Sequence, residues 1–177
     1  MKLANVILVT AVAFGAGAGG YALAQKDPKV GVTVNDPIGP KPDPTRVTVT
    51  EAKDLKCSGT PGKQEMCILY GDPSKPGPYS VIYKWYPGNF SKPHFHNNER
   101  WAYIISGTWW VSSSSVYDER TTYPVRAGAV AVDKINGIHW DGARAGEKEP
   151  AVLLLSGIGP NTNQSVDEHG KPSGPPR

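Results

Sequence analysis

The sequence predicts an all-β chain folded as a single jelly-roll barrel, and three observations carry that expectation. Short β-branched and aromatic runs recur through its middle, breaker-rich turns separate them, and no segment shows a long apolar stripe at helical spacing. The runs fall at residues 46–51, 67–70, 79–86, 100–106, 108–112, 121–125, 129–133 and 151–155. Between them, Gly71-Asp72-Pro73-Ser74-Lys75-Pro76-Gly77-Pro78 is typical of the loops, since proline at that density excludes helix. A jelly roll pairs most strand edges and encloses a pocket. At 177 residues and with no internal repeat, the chain fits one compact unit rather than two.

The N-terminal residues 1–24 read as a secretory signal. Lys2 precedes an apolar stretch from Val6 to Phe14, six small residues follow, and Ala22-Leu23-Ala24 supplies an A-x-A site with cleavage expected after Ala24. An uncleaved membrane anchor is disfavoured because the apolar run is short for a span and is diluted by those small residues. A periplasmic or secreted protein without a stable span follows. Residues 25–44 hold Pro28, Pro37, Pro40, Pro42 and Pro44 among few large apolar side chains, the composition of an extended linker.

Residues 45–160 hold the expected barrel. Cys57 and Cys67 flank a Ser-Gly-Thr-Pro-Gly turn, and in an oxidising compartment they are expected to form a disulfide. Thiolate metal binding would need the shorter C-x2-C spacing of usual zinc sites. The aromatics concentrate at Tyr79, Tyr83, Trp85, Tyr86, Phe90, Phe95, Trp101, Tyr103, Trp109 and Trp110, where packing of the barrel interior is the expected role. Residues 161–177 are polar and rich in Pro and Gly, which predicts a flexible tail, with His169 solvated within it. The formal charge of +3 comes from Lys and Arg scattered among acids, so nucleic acid is not an expected partner.

The chemistry concentrates in residues 88–107, GNFSKPHFHNNERWAYIISG. On a strand, His94 and His96 point to one face with their backbones about 7 Å apart, so both imidazoles can share a cation. Gly88 lets the chain turn before the strand, and Pro93 holds Lys92 extended. His139 is the third imidazole in reach of this scheme. Asp141, two residues on, could orient a ligating imidazole or cap a turn, and the adjacent Gly142 favours the turn.

This stretch resembles the first motif of the cupin superfamily, G-x5-H-x-H-x3,4-E-x6-G, through Gly88, His94, His96 and Gly107. Arg100 stands at the shorter glutamate spacing, with Glu99 one residue earlier. The second motif, G-x5-P-x-G-x2-H-x3-N, is matched by Gly128 and His139, while Lys134 replaces the proline, Gly137 sits one position late and Ala143 replaces the asparagine. The stretches SGTWW (106–110), HWDGA (139–143) and SGIGP (156–160) are similar to a bacterial single-domain subgroup, some of whose members carry histidine triads. The resemblance implies a double-stranded β-helix, one divalent transition metal (Fe, Mn, Zn, Cu or Ni) on His94, His96 and His139, and a homodimer. Glu99 is a fourth ligand if a bulge after His96 turns it inward; otherwise Arg100 faces inward and can clamp a substrate carboxylate. Trp140, beside His139, is a further candidate for ligand contact.

Three neutral imidazoles can hold a metal with positions open to water, dioxygen or a chelating substrate. The resemblance implies, first, a metal-dependent dioxygenase acting on a small, carboxylate-bearing anion. The alternatives are zinc- or manganese-dependent hydrolase, lyase or isomerase chemistry, a non-catalytic ligand-binding or sensory barrel, and a barrel that has lost its metal.

Overall fold

The computed structural model describes residues 40–177; the expected signal, 1–24, and residues 25–39 of the expected linker lie outside them. Residues 40–49 belong to a first compact unit, and Thr50–Arg177 form the second. In the first, Asp43 closes a turn by accepting from the Thr45 amide (2.9 Å). The strand expected at 46–51 does not form: its Val and Thr alternation defines two faces, but among the described residues no strand pairs with it.

The second unit is all-β. Its strands are β1 (Lys56–Thr60), β2 (Gln64–Tyr70), β3 (Gly77–Trp85), β4 (Asn89–Phe90), β5 (His94–His96), β6 (Arg100–Ser106), β7 (Thr108–Ser112), β8 (Tyr123–Arg126), β9 (Val130–Asp133), β10 (Trp140–Ala143), β11 (Ala151–Gly159) and β12 (Asn163–Ser165). One sheet runs β1-β2-β3-β11-β6-β9, a second runs β4-β10-β7-β8, and β12 pairs with β5. All of these pairings are antiparallel.

The core lies between the two larger sheets. Val81, Ile104, Leu153 and Leu155 from the first meet Trp109 and Ala143 from the second. Removing side chains such as Leu153 and Ile104 from water stabilises the fold by about 1.5–3 kcal/mol each. Strand alternation sorts the aromatics: Tyr79, Trp85 and Trp109 are buried, whereas Trp101 and Tyr103 sit on the exposed face of β6 and do not fill the barrel. Gly107 makes the β6–β7 turn at φ 70°, where a Cβ would also run into the Pro150 carbonyl.

Cys57 and Cys67 are direct cross-strand partners on β1 and β2 and form the expected disulfide. Closing this short loop constrains the unfolded chain, so replacing both cysteines by serine is expected to cost about 2–3 kcal/mol in chemical denaturation. Because β5 belongs to a different sheet and neither cysteine lines the cavity beside it, metal uptake is expected to stay at the wild-type level; a drop in both quantities would contradict this.

Residues 161–177 depart from the expected tail. Asn163–Ser165 pair with β5, Gln164 is buried, and the Arg177 and Asn163 backbones exchange hydrogen bonds of 2.9 and 2.8 Å. Backbone pairing orders this segment where apolar burial would not. His169 is exposed, as its composition implies. No helix among the described residues is long and apolar enough to cross a membrane.

Candidate metal centre

The two-residue pleat of β5 places His94 and His96 on one buried face. β12 holds one edge of this strand, and on the other His94 and His139 exchange backbone hydrogen bonds of 2.9 and 2.8 Å. The altered second motif still delivers His139. Gly137 N–H closes a turn on the Lys134 carbonyl, and Asn136, at φ 58°, supplies the left-handed residue and donates its N–H to the His96 carbonyl (2.8 Å).

Each imidazole is fixed through Nδ1. His94 donates to the Lys92 carbonyl (2.7 Å), His96 to the Thr162 carbonyl (2.8 Å) and His139 to the Gly137 carbonyl (2.9 Å). A carbonyl oxygen only accepts, so in the neutral rings all three protons reside on Nδ1 and all three Nε2 atoms carry lone pairs. These donors converge within 4.8 Å of one another. His94 Nε2 and His96 Nε2 stand 3.1 Å apart, and His139 Nε2 is buried with no hydrogen-bond partner among the described residues. Two facing lone pairs repel unless a cation lies between them.

Protonation does not readily supply that cation. Burial pushes His96 down to about 2, with the Arg100 charge and the other two imidazoles adding to the effect. Burial and then His139 lower His94 in the same direction. The donor set therefore fits a divalent transition ion: neutral nitrogen ligands, each oriented by a backbone carbonyl on its far side.

At the glutamate position, Arg100 opens the buried alternation of β6 and faces inward. Its Nε (3.1 Å) and Nη2 (2.5 Å) both donate to Asp133 Oδ2 across the β6–β9 pairing. The same oxygen stands 3.6 Å from His139 Nε2. Glu99 turns away from the triad and pairs with Lys134 at 3.0 Å, so the inward bulge needed to make it a fourth ligand does not occur.

Two other placements differ from the sequence expectation. Trp140 follows His139 on a strand and so takes the opposite face, fully buried against Phe90 and Tyr117. It is a packing residue that does not line the cavity. Asp141 lies within β10, does not cap a turn, and among the described residues makes no hydrogen bond to an imidazole. Its carboxylate accepts from Ser91 Oγ (2.8 Å) and Trp109 Nε1 (2.9 Å), tying β10 to its neighbours.

Above the triad is a cavity of about 320 Å³ lined by aromatic and aliphatic side chains from β2, β3 and β11 together with His94, His96, Arg100 and Arg177. Asp133 and Arg177 were not legible as site residues. Asp133 reaches the triad only through the β6–β9 register, and Arg177 only through the ordering of 161–177.

No protein-family model matches the sequence, and no curated protein matches it. Solved structures do. A protein of unknown function with a cupin-like fold from Ralstonia eutropha is 21% identical over 63% of this chain and 64% of its own, with a TM-score of 0.50. An RmlC-like cupin protein from the same organism is 15% identical over 72% of this chain and 76% of its own, with a TM-score of 0.56. The polyketide cyclase RemF from Streptomyces resistomycificus is 16% identical over 74% of this chain and 84% of its own, with a TM-score of 0.51. At these identities the likeness is one of architecture, and the architecture is the cupin fold, a double-stranded β-helix with three imidazoles gathered inside it.

Proposed function

We propose that this chain is an exported, mononuclear metal-dependent cupin enzyme that takes a small organic anion, with oxygenation of that anion as its reaction. The observation that carries the reading is the set of three Nε2 lone pairs, each locked in place by an Nδ1–carbonyl hydrogen bond and aimed at one point. His94, His96 and His139 would hold the ion. When bound, a redox-active ion such as iron supplies electron transfer between the anion and dioxygen, whereas zinc or manganese supplies carbonyl polarisation.

The residues of the chain do the rest. No carboxylate of the described residues joins the triad, so the protein ligands contribute no negative charge and leave coordination positions open. Arg100 and Arg177 bring guanidinium groups to the cavity wall. Arg100 is paired with Asp133, and Asp141 on the same wall accepts from the neutral donors Ser91 and Trp109, so an anionic visitor would be held by directed N–H donors and by the ion rather than by an excess of positive charge. Aliphatic and aromatic side chains of β2, β3 and β11 form much of the rest of the wall. The Cys57–Cys67 disulfide supports export, since such bonds persist in oxidising compartments.

The test compares iron-loaded and zinc-loaded protein against a panel of small mono- and dicarboxylates in an oxygen electrode. Oxygen uptake that needs both iron and a carboxylate is the expected result. Turnover with zinc and no oxygen uptake would replace oxygenation by redox-neutral chemistry. Tight retention of a ligand without turnover under either metal would make the barrel a binding module.

A further inference from the structure

The inward row that ends at Asp133 starts three strands away. Tyr79 on β3 is opposite Gly157 on β11, Gly157 is opposite Arg100 on β6, and Arg100 is opposite Asp133 on β9. All four are cross-strand neighbours on the cavity side of the same sheet, and Tyr79, Arg100 and Asp133 are all buried.

Gly157 lets Tyr79 lie down across this row. A Cβ at residue 157 would stand 2.8 Å from Tyr79 Oη, 3.0 Å from Cζ and 3.1 Å from Cε1. The phenol ring therefore occupies the space a side chain on β11 would fill. Two strand spacings, roughly 10 Å, separate the β3 and β6 backbones, and the ring carries its hydroxyl over the first of them towards Arg100.

That hydroxyl is free for a ligand. Among the described residues Tyr79 Oη makes no hydrogen bond to the protein, and it is not one of the polar atoms sealed in the interior without a partner, so it opens on the cavity that Tyr79 and Arg100 both line. A tyrosine O–H placed at such a wall can donate to a ligand atom. Arg100 is similarly placed: Nε and Nη2 are committed to Asp133, and Nη1 finds no acceptor among the described residues.

We infer that Tyr79 Oη and Arg100 Nη1 together bind a carboxylate of the ligand, with Gly157 present because any side chain there would displace the phenol. This rests on the anion-binding reading above and assigns the residues that recognise the anion. Burial pushes the Tyr79 phenol up to about 12, against the opposing Arg100 charge, so at neutral pH it retains the proton it would donate. A carboxylate takes one such bond on each oxygen, which an uncharged amide cannot match.

Zinc-loaded protein adds no redox chemistry and serves for the test. Malonate, malonamide and inorganic phosphate are titrated calorimetrically into the wild type, Tyr79→Phe and Gly157→Ala, with zinc content measured before and after. The expected result is a malonate Kd about tenfold weaker in both variants, the loss of one hydrogen bond to a charged group, with zinc content unchanged. Malonamide should show no comparable difference. Unaltered malonate affinity in Tyr79→Phe would overturn the inference while leaving the metal reading intact. Failure of the zinc-loaded wild type to bind malonate or phosphate would overturn both the anion reading and this one. Tyr79-dependent binding of phosphate alone would overturn the assignment of a carboxylate.

Discussion

Replacing His139 by alanine is expected to remove the metal. Protein purified from its native compartment without an affinity tag should contain about one ion per chain by elemental analysis, and the variant close to none. The expected loss of affinity exceeds the 10–100-fold typical of losing an outer partner of a metal ligand, since a donor itself is lost. The fold should survive. Among the described residues, His139 side-chain hydrogen bonding reaches only the Gly137 carbonyl, and the bridge to His94 is made by backbone atoms that alanine retains. His94→Ala and His96→Ala should behave alike. Unchanged metal content in His139→Ala would exclude it as a necessary ligand and leave only the β5 pair.

Asp133→Ala is expected to be the most destabilising substitution near the site. Arg100 and Asp133 are both nearly excluded from solvent, with side-chain exposures of 10% and 7%. Removing the carboxylate strands a buried guanidinium, which typically costs about 3–5 kcal/mol. The intact pair need not be worth that much, because both charges were desolvated to form it. Hence Arg100→Met combined with Asp133→Leu should recover most of the loss in urea denaturation. If Asp133→Ala alone changes stability by less than about 1 kcal/mol, within the range for exposed pairs, the guanidinium has found water or another acceptor and the pair is not a buried one.

The sequence made the centre of this site legible because its chemistry follows from local periodicity. A two-residue pleat suffices to put His94 and His96 together and Arg100 with Ala102 and Ile104 on the buried side of β6. The same rule, applied one step further, removes Trp140 from the cavity: adjacent residues on a strand face opposite ways. What stayed hidden depends on long-range pairing. Asp133 is opposite Arg100 only because β9 pairs with β6 in one particular register, and Tyr79 is in line with both only because β11 lies between β3 and β6. The Val and Thr run at 46–51 fails for the complementary reason, having the pattern of a strand and no paired neighbour among the described residues. β1, β4, β10 and β12 were missed because they are short or contain Gly, Asn or Ser, and backbone hydrogen bonds rather than apolar faces define them.

The Thr162 carbonyl that receives the His96 Nδ1 proton gives the segment after residue 160 an inheritance shared with the barrel. Composition marks that segment as disposable, yet a recombination event or shortening at residue 160 would leave the three histidines in the sequence and take away the acceptor that sets one ring's tautomer. His96 could then place its proton on either nitrogen, and one of the three locks that orient the triad would be lost with no change in its ligands. In descendants of this chain, drift in 161–177 should therefore be tolerated at its exposed side chains, while buried Gln164, Arg177 at the cavity wall and the backbone path that passes Thr162 and pairs with β5 are retained.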